Sequence, residues 1–381
     1  MKYLFIAHSA DRSGAPLSLL EFIRALQNID LDFECTIVIL KAGELEKEFS
    51  NYGRTVVISR NKRNNLYEKI RYRLVRSKYE ALVKKKSFHI GLANSSSSWF
   101  FIKNFSFESF EHFFLRLPES THSIKTILRG EFKALRDSLN HGHLKVVAPS
   151  NANANSLKEC LDKGAKVQVI YGIAANKGKE LSIGDSPKKL LELKEKGKVI
   201  IGGSGRLIWE KGVDYFLQVC ALTVKKCPDA HFVWLGAMGD LNTEAKSPFE
   251  KRILYDLKKT SLQDSVIFLP KTSAPEKIYE LFDILLMTSR WDSFPLVVLE
   301  NALAKTPSIC FKNCGGAEEF IANDCGVVVD YMDVQNMSDQ VVSWVRNSNE
   351  LNKIANNAYN KGLTFNQVYL QNQLKTILEE N

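Results

Sequence analysis

The chain has 381 residues, 45% of them apolar and 25% charged, with a formal net charge of +9. Its length exceeds one ordinary core and predicts two domains, and its composition excludes wholesale disorder. No apolar run reaches the roughly 18 residues that cross a bilayer, and the opening MKYLFIAHSADRSGAP reads as a first strand rather than a signal peptide.

Short apolar strands alternate with amphipathic stretches along the whole chain. In the first half the strand candidates are 3–8, 35–41, 55–59, 88–94, 112–117, 144–150 and 167–171. Helical patterns such as PLSLLEFIRALQN (16–28) and NANSLKECLDKG (153–164) separate them. Residues 174–197 lose the strand pattern, are rich in Lys, Gly and Ser, and read as a linker. The alternation restarts with 198–205, 230–237, 265–270, 284–289, 307–312 and 326–330, and the tail from 333 onward is helical. This βαβ order implies two α/β domains, each a parallel sheet covered by helices on both faces. No sequence repeat relates the two halves. The predicted division is 1–172 and 173–363, with a last helix, 364–381, packing back on the first domain.

Charge is unevenly placed. Residues 1–172 hold 27 Lys+Arg against 17 Asp+Glu, and the remainder holds 25 against 26. Residues 60–86 alone carry eleven basic and two acidic residues. This is either a solvated helix face or a surface that meets an anionic membrane or a phosphate-bearing acceptor. No helix-turn-helix, zinc or RNP-like pattern supports nucleic acid as a partner. Seven cysteines, odd in number and without close pairing, fit a reducing compartment and small buried core positions. The pair Cys310 and Cys314 does not have a usual zinc spacing.

In open parallel sheets ligands sit beyond the carboxyl ends of strands, so chemistry is sought in the exit loops. The loop after the first strand, HSADRSGAPLSLLEF, places Gly14 before a helix; it lacks GxGxxG, which disfavours a nicotinamide dehydrogenase. His8 there reads as a loop histidine. The loop GGSGRLIWEKGVDYFL (202–217) offers Arg206 and Lys211, two cations able to converge on a diphosphate, and it is not a P-loop. In RWDSFPLVVLENA (290–302), Asp292 lies in an exit loop and Glu300 on the helix that follows. Asp292 is either a helix cap or an acceptor for sugar hydroxyls. Asp30-Leu31-Asp32 spells the DxD of metal-dependent transferases, but it lies between a helix and a strand and reads as a turn.

Three ordered motifs, GRLIWEKG (205–212), DSFPLVVLE (292–300) and CGGAEEF (314–320), together resemble the retaining GT-B glycosyltransferases of family 4. The resemblance covers the second half well and the first half mainly through GAPLSLLEFIRAL. It implies the GT-B fold, an α/β architecture of two doubly wound Rossmann-like parallel-sheet domains facing a cleft, with the acceptor on the first domain and a nucleotide-sugar donor on the second. It implies that Arg206 and Lys211 neutralise the departing diphosphate and that Glu300 holds the donor ribose. Asp292, one methylene shorter than the family's usual Glu, faces the sugar. Ser293, Phe294, Pro295, Leu296 and Val297 form the loop whose amides meet sugar and phosphates. Gly14 lies near the diphosphate, and Gly236, Pro270 and Lys271 lie where the nucleobase is held. The acceptor-side histidine of many relatives is absent at its expected place, leaving Glu119 or His122 to contact acceptor or sugar. The expected reaction moves a sugar from a UDP-sugar or GDP-sugar to a hydroxyl of a glycan or lipid-linked acceptor, with retention and without metal or cofactor. The expected setting is surface polysaccharide or glycolipid synthesis, in the cytoplasm or peripherally on the inner face of the membrane. A catalytically silent nucleotide-sugar binder or membrane-docked scaffold subunit is the alternative.

Overall fold

Thirteen parallel strands form two sheets in a computed structural model that describes residues 1–59, 66–140, 143–161, 165–174, 186–237 and 247–379. Part of the basic run (60–65) and part of the linker (175–185) lie outside the described residues. The chain divides into two units, Met1–Ala175 with Asn366–Asn381, and Asn176–Phe365.

The first unit holds β1 (Lys2–Ala7), β2 (Glu34–Lys41), β3 (Arg54–Ser59), β4 (Ile90–Asn94), β5 (His112–Arg116), β6 (Leu144–Ala148) and β7 (Val167–Val169), in the order β3-β2-β1-β4-β5-β6-β7. Five of the six β1 residues and all five of β4 are buried, as expected for central strands covered on both faces. The helix Gly14–Ile29 buries Leu19, Leu20, Phe22, Ile23 and Leu26, an apolar stripe at helical spacing, and carries Pro16 in its first turn. The helix Gln367–Glu379 belongs to this unit. It buries Leu370, Leu374 and Ile377, its Gln367 donates to Glu21, and its Gln373 accepts from the Tyr171 amide at 2.9 Å.

The second unit holds β8 (Val199–Ser204), β9 (Ala230–Ala237), β10 (Val266–Pro270), β11 (Ile284–Met287), β12 (Ser308–Phe311) and β13 (Gly326–Val329), in the order β10-β9-β8-β11-β12-β13. Observed strands fall within two residues of the predicted ends. The predicted linker needs correction, because a helix, Ser186–Glu195, lies inside 174–197. Its Leu190 is fully buried and its Lys194 pairs with Asp283 at 2.6 Å. Tertiary packing of one leucine face outweighed the Lys-rich composition. All seven cysteines are free thiols, six of them buried.

In both sheets strand order reverses beside the first strand, between β1 and β4 and between β8 and β11. The loops leaving those strands flank a topological switch point, the place where such sheets bind ligands.

Candidate functional site

At the switch point of the second unit, the loop after β8 and the loop after β11 are tied together by charge. Lys211 Nζ donates to Asp292 Oδ2, with the two side chains 24% and 14% exposed. Arg206 stands exposed in the same loop as Lys211. Gly212 has φ +64°, and a Cβ there would sit 1.9 Å from the Thr288 carbonyl oxygen, so only glycine lets this turn pass under the end of β11.

Asp292 is fixed from a second side. Its amide donates to the Cys314 carbonyl at 2.8 Å, and its carbonyl accepts from the Gly316 amide at 2.9 Å. Gly315 lies between them at φ +109°, where a Cβ would meet the Asp292 carbonyl oxygen at 1.9 Å. The motif 314–320 thus positions the backbone of the motif 292–300. The helix after the loop is Leu296–Leu303, and its N-cap is Pro295, with no side-chain capping bond. The reading of Asp292 as that helix's cap is therefore corrected: it lies too far upstream and its carboxylate is committed to Lys211. Ser293, Phe294 and Pro295 are buried, Leu296 and Val297 partly so. Phe294 stacks on Phe365 at 6.0 Å. The first amides of the helix, at Leu296 and Val297, have no intrahelical acceptor and suit an anion.

Glu300 sits on the second turn of that helix. Desolvation pushes its carboxyl up to about 7, the charge of Glu276 adds to the rise, and a hydrogen bond with Tyr279 draws it partly back. The Tyr279 hydroxyl also shares a 3.0 Å hydrogen bond with Ser204 at the end of β8. Gly236, at φ +115°, lets the end of β9 close on Gly205, whose carbonyl accepts from Trp234 Nε1 at 2.8 Å. Pro270 and Lys271 are exposed at the end of β10. One unit therefore brings Arg206, Lys211, Asp292, Ser293–Val297, Glu300, Gly236, Pro270 and Lys271 to the carboxyl end of one sheet.

Sequence reasoning missed Arg290. Its guanidinium makes two bonds to the Asp214 carboxylate, at 2.9 and 2.6 Å, and donates to the Trp209 carbonyl at 2.7 Å. It lies over the rings of Trp209 (4.6 Å) and Tyr215 (4.2 Å), and its amide donates to the Glu210 carbonyl. This clamp holds the Lys211 loop against the Asp292 loop. The sequence signal was its place at the exit of β11, two residues before the acidic motif.

In the first unit, Gly14 begins its helix with open space where a Cβ would be. His8 follows β1 with a buried, unpartnered Nδ1, and burial lowers its pKa. Glu119 and His122 separate. His122 is exposed on the first turn of the helix Thr121–Leu128. Glu119 accepts from the Ser95 hydroxyl and from the Ser96 amide at 3.1 Å, while its carbonyl accepts from Asn153 at 3.2 Å. Desolvation raises its pKa against those bonds. Ser95 has φ 83° and ψ 145°, a conformation that glycine adopts far more readily. Beneath it Arg116 is buried, bonded to Asn94 at 3.2 Å, and its pKa falls to about 10 through desolvation. The run Ser95–Ser98 after β4 was a second missed feature; four serines after a buried strand were its signal.

Two parallel, doubly wound sheets with helices around them define a GT-B fold. The Anabaena protein HepE, solved in complex with UDP and glucose, matches the whole of this chain over the whole of its own, with a TM-score of 0.78 and 18% identity. Residues 187–361, most of the second unit, match the family described as glycosyl transferases group 1. A poly(ribitol-phosphate) alpha-N-acetylglucosaminyltransferase of Staphylococcus aureus is 24% identical over 149 residues, 39% of this chain and 28% of its own. An uncharacterized glycosyltransferase of Haemophilus influenzae is 30% identical over 134 residues, 35% of this chain and 34% of its own. The chain spans about a third of the length of these curated relatives.

Proposed function

We propose that the protein is a retaining glycosyltransferase that moves a sugar from a nucleotide diphosphate donor to a hydroxyl of a glycan or lipid-linked acceptor in polysaccharide synthesis. The observation that carries this reading is the Lys211–Asp292 ion pair at the switch point, flanked by exposed Arg206 and by the helix bearing Glu300. Arg206 and Lys211 supply positive charge where the leaving diphosphate becomes more negative. The amides that open the helix Leu296–Leu303 add donors, and preorganised donors of this kind are each worth roughly 10²–10³ in rate. Glu300 accepts from the ribose hydroxyls and Asp292 from the sugar, releasing Lys211 toward the phosphates as the donor enters. Gly236, Pro270 and Lys271 border the base. Gly14 leaves room for a phosphate in the first unit. His122 is the group positioned to meet acceptor or sugar, while Glu119 organises the serine loop. With two cations in place, charge neutralisation in this scheme falls to side chains and amides, without metal.

UDP is the first donor nucleotide to try, since HepE was solved with it. Thermal unfolding with UDP and with GDP, in EDTA, is the test. A ligand bound only by the folded form adds about 2.7 kcal/mol at a hundredfold excess over Kd. The expected result is a rise with one nucleotide that Arg206→Ala abolishes, followed by release of that nucleotide from its sugar donor when acceptor is supplied. No rise with either nucleotide would return Arg206 and Lys211 to the role of surface charges. A rise without turnover would favour a silent binder.

A further inference from the structure

The helix Leu66–Lys84 has two unlike faces. Its inner face packs on the edge of the first sheet: Tyr79 and Val83 are buried, Tyr72 meets Phe101 edge-on at 5.8 Å, and Arg71 donates to the Val57 carbonyl at 2.6 Å. Its outer face exposes Leu66 (74%), Tyr67 (69%), Ile70 (48%) and Leu74 (66%). Leu66, Ile70 and Leu74 recur every fourth residue and so form one line along the helix, with Tyr67 beside it. These four account for nearly a third of the large apolar side chains exposed among the described residues, and they lie within nine positions.

The charge on that face is of one sign. Lys69, Arg73, Lys78, Lys84, Lys85 and Lys86 are exposed on the helix and the turn that ends it. Neither carboxylate of the helix is left exposed and unpaired: Glu68 is buried and accepts from Ser59, and the partly buried Glu80 pairs with Arg76 at 2.8 Å. Single exposed apolar residues are ordinary, but a patch of four rimmed by cations marks an interaction surface.

We propose that this face docks on an anionic lipid surface, with Leu66, Tyr67, Ile70 and Leu74 entering the interface and the surrounding lysines and arginine meeting lipid phosphates. The cations around the apolar line are of one sign, which suits an anionic surface. A second copy of the chain would bring the same cations against themselves. Tyr67 adds an amphipathic ring of the kind that settles at headgroup level. A helix with apolar residues on one line and cations around it lies in the interface plane, held jointly by buried apolar area and by attraction to anionic lipid. The surface belongs to the first unit alone and is independent of the donor site.

Cosedimentation of the full chain with vesicles tests this. Vesicles of phosphatidylcholine alone are compared with vesicles of equal parts phosphatidylcholine and phosphatidylglycerol, at low and high salt. The wild type is expected to bind the anionic vesicles, at least about tenfold better than the neutral ones, and to release with salt. The triple change Leu66→Ser, Ile70→Ser, Leu74→Ser is expected to lose about tenfold or more in partitioning without lowering the thermal midpoint, since all three side chains are exposed. Lys69→Gln, Arg73→Gln, Lys78→Gln is expected to do the same. The proposal is overturned if the wild type stays in the supernatant with both vesicles, or if the serine variant binds as tightly as the wild type. It is also overturned if the serine change instead converts a dimer to a monomer in solution, which would show a second copy covering the stripe.

Discussion

Glu300 offers the sharpest test of the donor site, because its free-state pKa and its proposed role pull in opposite directions. Burial and Glu276 hold the carboxyl at about 7, so near neutral pH much of the free protein carries a protonated Glu300. Ribose hydroxyls donate to the ionised form and favour it. If a donor binds only that form, its apparent Kd rises by the factor 1 + 10^(pKa − pH). Between about pH 8 and about pH 6 this weakens binding roughly tenfold, with proton release on binding near neutrality. The assay is titration calorimetry with UDP-glucose, whose diphosphate does not itself titrate in that window, in two buffers of different ionisation enthalpy. Glu300→Gln should flatten the profile and abolish the proton release. Stability gives an independent reading. A carboxyl raised in the folded state costs stability as pH climbs from its unfolded value near 4.5 to about 7, an effect of ~3 kcal/mol before the screening that partial exposure brings. Glu300→Gln should therefore melt near the wild type in acid and about 1–3 kcal/mol above it in mild base, provided glutamine keeps the Tyr279 contact. A wild-type affinity flat across this range, or a pH dependence that survives in Glu300→Gln, would refute the assignment.

Two further perturbations bear on the loops that frame the sites. Arg290→Ala removes a forked bond to Asp214, a bond to the Trp209 carbonyl and two ring contacts. A loss of about 2–3 kcal/mol in urea unfolding is expected, with nucleotide affinity falling as the Lys211 loop loosens; unchanged affinity would mean the clamp serves stability alone. In the first unit, Glu119→Ala strands the Ser95 hydroxyl and the Ser96 amide and should cost about 2–3 kcal/mol. Ser95→Gly should then recover about 1 kcal/mol in the Glu119→Ala background by relaxing the positive φ, yet give no gain in the wild type, where it breaks the bond to Glu119. Additive effects in this double-mutant cycle would dismiss Glu119 as the residue that holds the serine loop.

The parts of this protein legible in sequence are those with a short period. Buried strands such as KYLFIA and VIIGGS announce themselves as apolar runs bounded by turn residues, and their alternation with helices dictates parallel sheets, so the strands were found to within two residues. The residues proposed for the donor could be placed in the fold because they follow strands that the alternation had already located. What was not legible depends on partners distant in sequence. Arg290 is one arginine among many until the fold brings it onto Asp214, 76 residues earlier, and between two rings. Lys211 and Asp292 were each readable as ligand contacts, but their pairing with one another was not, and it changes what both do. In the free protein the cation we propose for the diphosphate is held by the carboxylate we propose for the sugar, so each neutralises the other. Glu119 shows the converse. Its position in the sequence suggested a group contacting acceptor or sugar, and its carboxylate accepts from the exit loop of the neighbouring strand. A carboxylate that accepts from the Ser95 hydroxyl and the Ser96 amide is oriented by that loop, with about two of its four acceptor sites taken. On the proposed reading Glu119 acts by holding that loop, and the double-mutant cycle with Ser95 measures how firmly.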